Sequence, residues 1–246
     1  MLSAAQVREQ AAALSGADPE TTLTWAVDTF PDKVTLTVSF GGGGVVLAHL
    51  LSRIDRTVPV LFLDTAFHFP ETYAFKERFA KRYGLNVVGL RYMNVYGPRQ
   101  DYRGAYIAVI MKMLDAIDRG EGPTILGDGS EAFDFVAVKD CGRANLCAMR
   151  ADVVDSFYNV GTGKRTSLKE LAEMLLRLTG SNQPIQYAPR SQATLVRNRI
   201  GSPKRAAAEI GFVAEMPLEQ GLRELIGWRK AHMAEVDQRR MRAAAE

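Results

Sequence analysis

"GLNVVGLRYMNVYGPRQ", residues 84–100, decides how the rest of the chain is read. Leu85 to Arg91 reads as a buried strand, and Asn94-Val95-Tyr96-Gly97-Pro98 as a turn facing a ligand. The preceding stretch "PETYAFKERFAKRYG" (70–84) reads as a helix closed by Gly84, since glycine tolerates the left-handed cap. Further back, "VPVLFLDTA" (58–66) and "KVTLTVSF" (33–40) read as strands rich in β-branched residues. "VVLAHLLSRI" (45–54) has apolar residues at helical spacing. The order β-α-β-α-β predicts a parallel sheet with right-handed crossovers. Two helices, 3–15 and 19–29, come first, the second with Asp18 as N-cap and Pro19 at its first position.

Forward of the turn, residues 102–120 read as a helix with a glycine stop. "GPTILGDGSEAFDFVAVKD" (122–140) reads as two short extended pieces around a glycine turn. "CGRANLCAMRA" is a helix, "SFYNVGTG" (156–163) a strand, and "TSLKELAEMLLRLTG" (166–180) a helix capped by Thr166 or Ser167, with Glu170 placed for a capping box. "QPIQYAP" is a short strand, and "SPKRAAAEIGF" and "PLEQGLRELIGWRKAHM" are two more helices.

The chain has 246 residues, 47% hydrophobic and 24% charged, the composition of a folded globular protein. Its 31 basic residues nearly balance 28 acidic ones. No basic run is interleaved with aromatics, so no nucleic-acid partner is expected. The basic end "RKAHMAEVDQRRMRAAAE" reads as a solvated, fraying helix. Cys141 and Cys147 fit no disulfide framework, no common zinc spacing and no iron–sulfur set, and no metal is expected. With no apolar leader and no run of membrane-spanning length, the reading is a cytoplasmic chain with no membrane partner.

"SFGGGG" (39–44) follows a strand and opens a helix, where backbone N–H groups can face an anion. A flexible turn without a ligand is the alternative. It is not the dinucleotide fingerprint: counting from Gly41, the third glycine would fall on Val46, and the P-loop lysine is absent too. Ser39-Phe40-Gly41, Leu63-Asp64-Thr65 and His68-Phe69-Pro70-Glu71-Thr72-Tyr73 carry a resemblance, over roughly residues 20–88, to the N-terminal part of the sulfonucleotide (adenylylsulfate or phosphoadenylylsulfate) reductases. That resemblance implies an adenine-nucleotide hydrolase-like α/β fold. By it, Ser39, Gly41, Gly42, Gly43 and Gly44 would hold a phosphate or sulfate end, and Asp64 and Thr65 would line the adenosine side. The cysteine those reductases use as nucleophile has no counterpart in its expected context, so their reduction chemistry is not expected.

From about residue 84 to 232 the chain resembles another family, the C-terminal half of the extended short-chain dehydrogenase/reductase nucleotide-sugar epimerases. "LRYMNVYGPRQ", "ILGDGSEAFDFVAVKD", "RANLCAM", "FYNVGTGKRTSLKELAEMLL" and "PKRAAAEIGF" followed by "LEQGLRELIGWR" carry it, in family order. The resemblance implies a sugar-nucleotide pocket. Asn94 would contact the diphosphate, Arg99 and Arg190 are candidate phosphate partners, and Tyr158 and Asn159 lie on the strand leading to the Gly161–Gly163 turn. Where the family has an arginine in "GDGSxxR-D-F", this chain has Phe133. The family's NAD glycine turn is missing, as is its Tyr-x-x-x-Lys pair: Tyr73 and Lys76 stand three apart, not four.

The two resemblances meet at a helix–turn–strand unit common to both families. The sequence therefore reads as a composite, with 1–88 reductase-like and 89–246 epimerase-like. Strands near 34–40, 59–63, 86–91 and 156–160 are expected in one sheet. The expected fold is α/β, a doubly wound, mainly parallel Rossmann-like sheet with helices on both faces and a small C-terminal sugar-nucleotide lobe. Two function classes follow. One is a protein that binds a nucleotide or UDP-sugar without turnover, with no cofactor firmly implied. The other is an epimerase/dehydratase-like enzyme with an unfamiliar acid/base such as Asp64 or His68, although His68 also reads as a solvent-facing loop histidine. A monomer or weak homodimer is expected, because the family's dimerising helices are replaced.

Overall fold

The computed structural model describes residues 3–64, 68–100, 109–189 and 197–244, with side chains to 241. The chain runs α1 (Ala4–Ala13), α2 (Pro19–Thr29), β1 (Leu36–Val38), α3 (Gly42–Ile54), β2 (Val60–Leu63), α4 (Pro70–Tyr83), β3 (Val87–Tyr92) and β4 (Asn94–Tyr96). It continues α5 (Val109–Asp118), β5 (Thr124–Leu126), β6 (Ala132–Phe133), β7 (Phe135–Ala137), α6 (Val138–Arg150), β8 (Phe157–Val160), β9 (Thr166–Ser167) and α7 (Leu168–Thr179). Last come β10 (Gln186–Ala188), β11 (Asn198–Arg199), α8 (Lys204–Ile210), α9 (Leu218–Ala231) and α10 (Met233–Ala244).

The four strands expected in one sheet pair in the order β1-β2-β3-β8. Parallel registers Val38↔Phe62 and Leu63↔Leu90 bring the carboxyl ends of β1, β2 and β3 to one edge. The remaining strands form three smaller sheets, β10-β5, β11-β6-β9 and β4-β7, parallel except where β6 meets β9. The fold is α/β, of mostly parallel sheets and helices.

Local signals act as the sequence requires. Asp18 accepts from the Thr21 N–H at 2.9 Å with Pro19 opening α2. Gly84 ends α4 in the left-handed region at φ 64°. Ser167, not Thr166, caps α7 in a full capping box with Glu170.

Two compact units divide the chain. The first comprises Met1–Arg91 with Ala148–Tyr158, its core built on Val38, Phe40, Val60, Phe62, Phe79 and Val87. The second comprises Tyr92–Cys147 with Asn159–Glu246. Its larger core holds Tyr96, Ile110, Met113, Leu114, Leu171, Leu175, Leu222 and Leu225.

Two expectations are overturned. Asn94–Tyr96, read as part of a turn, is strand β4 paired with β7, and the turn follows at Pro98 and Arg99. The C-terminal helix α10 is docked, not solvated: Val236 is fully buried in the second core, and Arg240 Nη2 bonds Asp118 Oδ2 at 2.9 Å. Val236 and Arg240 stand one helical turn apart, so one stripe of α10 supplies both the apolar and the ionic contact. Among the described residues, no helix is long and apolar enough to cross a membrane, and no group of acidic, His or Cys side chains could hold a metal.

Candidate functional site

In the first unit the candidate residues lie at the carboxyl edge of β1, β2 and β3, where open parallel sheets place their ligands. Phe40 turns the chain out of β1 at φ 58°, a left-handed conformation that costs a non-glycine residue about 1–2 kcal/mol. Its ring offsets that cost by packing edge-on against Phe62 and Phe79, at 5.6 and 6.0 Å between centroids. The exposed Ser39 and Gly41 follow the strand, and Gly41 is the N-cap of α3 without a side-chain cap bond. A Cβ on Gly42 or Gly43 would meet nothing within 4 Å, whereas on Gly44 it would sit 3.4 Å from Val38 Cγ1. The first turn of α3 thus presents bare backbone to solvent, a form suited to an anion.

Asp64 follows β2 and its side chain has no exposed surface. The Tyr73 hydroxyl donates to its Oδ1 at 2.5 Å and the Arg91 Nε to its Oδ2 at 2.6 Å. Burial first, and then the bond to Asp64, pushes the Tyr73 phenol up to about 12. Asp64 therefore binds two side chains of its own unit. His68 is half-buried instead of facing solvent: its Nε2 lies 3.0 Å from the Leu63 carbonyl, which requires Nε2 to carry the proton. Its ring packs on Phe62 and Tyr73. Thr65 lies outside the described residues.

Tyr158, also in the first unit, is 1% exposed. Its side chain is core-directed, and the half-buried Asn159 points the other way by strand alternation.

The second unit is organised around Asp134, a fully buried residue of the stretch "EAFDF". Its Oδ1 accepts from the Thr162 N–H and hydroxyl, its Oδ2 from the Gly163 N–H, at 2.6–2.9 Å. A Cβ on Gly161 would fall 2.4 Å from Asp134 Oδ2, so only glycine lets the turn close on the carboxylate. The Asn94 backbone N–H and Nδ2 both donate to the Asp134 carbonyl, at 2.9 and 3.1 Å. Asn94, Asp134 and the Gly161–Gly163 turn are therefore brought together, while Asn159 reaches the Ser202 carbonyl at 3.4 Å. Arg99 is exposed at φ 65°, and its carbonyl accepts from Arg239 Nη1 at 2.8 Å. Arg190 lies outside the described residues.

Sequence reading missed Asp134, Lys76 and Arg91. Asp134 stands between β6 and β7 in the otherwise apolar run Ala132–Ala137, and a lone charge in such a run is the cue that could have found it.

The NAD that this kind of fold commonly holds does not fit the first unit. Asp64 stands at the end of β2, where a dinucleotide fold keeps a free carboxylate for the ribose. Here that carboxylate is buried and bonded to Tyr73 and Arg91.

Comparison with known proteins reproduces the double character of the chain. A family model described as NAD dependent epimerase/dehydratase family matches residues 73–161, and one described as phosphoadenosine phosphosulfate reductase domain matches residues 33–112. A putative UDP-glucose 4-epimerase of Methanocaldococcus jannaschii is 34% identical over 148 residues, covering 60% of this chain and 47% of that protein. The chain spans about half the length of the curated relatives it matches. The structure of a UDP-glucose 4-epimerase from Thermotoga maritima with UDP-glucose aligns at TM-score 0.68 and 29% identity, over 77% of this chain and 69% of that one. An epimerase of Methanothermobacter thermautotrophicus aligns at TM-score 0.73 and 17% identity, over 90% and 79%. The chain has a nucleotide-sugar epimerase-like fold, and its sequence resembles two families whose matches overlap across the opening stretch.

Proposed function

We propose that the chain binds a nucleotide or nucleotide sugar and lacks the catalysis of both families it resembles. The observation that carries the reading is the Asn94–Asp134–Thr162–Gly163 framework, in which a buried carboxylate fixes a glycine turn and the candidate diphosphate residue together. A site held this rigidly loses little freedom on binding. Asn159 and Arg99 are read as further sugar-nucleotide contacts, and the Ser39–Gly44 turn as an anion contact. Residues 1–88 are read as the reductase-like segment and 89–246 as the epimerase-like one.

The absence of turnover follows from chemistry. Hydride transfer needs a nicotinamide and a phenol activated beside it. Tyr73 is instead held neutral by burial and by its bond to Asp64.

Calorimetry with UDP-glucose and with AMP tests the binding. Binding of UDP-glucose that weakens in Asn94→Ala is expected; no binding of either ligand would sink the reading. NAD-dependent epimerisation of UDP-glucose would overturn the claim of no turnover. A second reading, an enzyme with a non-standard acid/base, is favoured by the Asp64–Tyr73–His68 cluster. It requires turnover that disappears in His68→Gln. Sedimentation is expected to show a monomer or a weak dimer.

A further inference from the structure

Phe157, on β8 in the first unit, carries two cations. Lys76 Nζ lies 4.7 Å and Arg91 Cζ 4.9 Å from the centroid of its ring. The ring is pressed onto β3, since a Cβ on Gly89 would fall 2.2 Å from its Cδ1. Gly89 and Arg91, two residues apart on β3, share this face of the sheet. Lys76 reaches the face from α4 and is 3% exposed. The side chain of Arg91 is 40% exposed.

Two features make this more than packing. The first is charge. Among the described residues, the contacts of this ring bring together two cations, Lys76 and Arg91, and the carboxylate of Asp64, which is bonded to Arg91. A ring face compensates only part of the hydration an ammonium loses on burial, and buried charge ordinarily finds a counter-charge. An added anion would balance the group.

The second is the geometry of the guanidinium. Its bond to Asp64 uses Nε, and its Cζ lies over the Phe157 ring. Two contacts therefore hold the group, one to a carboxylate and one to a ring. The edge formed by the two Nη atoms matches two oxygens of a phosphate or sulfate.

We propose that Arg91, backed by Lys76, is an oxyanion-binding site of the first unit, taking the phosphate or sulfate group of a nucleotide or the free inorganic anion. The assignment rests on the reading of the first unit as nucleotide-binding. It moves the contact from Asp64 to the arginine that Asp64 holds. Asp64 and Tyr73 become positioning residues.

The test titrates inorganic phosphate, inorganic sulfate and AMP into the full chain by calorimetry. Arg91→Lys and Lys76→Met are measured beside it, with thermal melts to confirm folding. Arg91→Lys keeps the charge and loses the fork, and is expected to weaken binding about tenfold, as a charge-assisted bidentate contact implies. Lys76→Met is expected to weaken it less. Phosphate binding in the unsubstituted chain identifies a free-anion site; binding of AMP alone identifies the nucleotide as the source of the group. Binding of none of the three overturns the proposal, as does unchanged affinity in a folded Arg91→Lys. Should Arg91→Lys not fold, unchanged affinity in Lys76→Met overturns it. UDP-glucose is titrated in parallel into the unsubstituted chain. If UDP-glucose binds and the three anions do not, this inference fails and the reading of the second unit stands; the reverse result sinks that reading and leaves this one.

Discussion

Asp134 binds Thr162 twice, accepting its backbone N–H at 2.9 Å and its hydroxyl at 2.6 Å through the same oxygen. The residues are separated by 28 positions and come from different strands' ends, yet together they set the shape of the turn that leaves β8. Truncating Asp134 to alanine strands the donors of Thr162 and Gly163. The expected loss is about 3 kcal/mol, the scale for hydrogen bonds to a buried charge. Urea unfolding would show it as a lower midpoint with an unchanged slope. Asp134→Asn, which keeps the volume but turns one acceptor into a donor, should fall between the two.

A second buried charge organises the docking of α10. Arg229 is 2% exposed and donates to Asp115 at 2.7 Å and to Asp118 at 2.5 Å. Arg240 joins the same two carboxylates from α10. Arg229→Ala is expected to cost about 3–5 kcal/mol, because it removes one partner from a buried ion group. Arg240 is 26% exposed at its side chain and Arg229 remains beside the carboxylates, so Arg240→Ala should cost less. Equal losses in thermal or urea melts would contradict that ordering.

The two cysteines should behave differently towards thiol reagents. Burial first, and the Asp140 charge second, push the Cys141 thiol up to about 12, so its thiolate is scarce at neutral pH. Cys147 lies half-buried on the same helix. Ellman's reagent should label Cys147 in the folded chain and both cysteines in denaturant. Rapid labelling of Cys141 in Cys147→Ser would refute this.

Alkaline pH should destabilise the chain. Burial is the first cause of the rise in Tyr73 and Tyr92, both pushed up to about 12 from 10.0. Between those two values the folded chain keeps phenolic protons that the unfolded chain has released. The folded state then binds more protons, so stability falls as pH rises. Stability from these groups is fully present below pH 10 and is lost progressively towards 12. Urea midpoints at pH 9, 10.5 and 11.5 should decline, and the decline should be shallower in Tyr92→Phe.

How much of this was legible in the sequence depends on the range of the interaction. The helices capped by Asp18, Gly84 and Gly180, and the four strands of the main sheet, follow from contacts within a few residues and from hydrophobic periodicity. The stretch 94–98 does not: read as a turn, it holds strand β4 at Asn94–Tyr96, because pairing with β7, far away in sequence, keeps it extended. The doubled family character was equally legible, because motifs are local strings.

Only the tertiary structure decided what the charged residues do. Asp64 is 27 positions from Arg91 and meets it because the β2–β3 register sets their strands side by side. Lys76 sits one turn from Tyr73 on α4, and nothing in that spacing shows which of the two a phenylalanine from β8 will cover. The end of the chain looked solvated because its composition is basic, yet Arg240 finds Asp115 across 125 positions. A burial pattern is written along one element, while the partner of a charge is chosen by whichever elements the fold packs together.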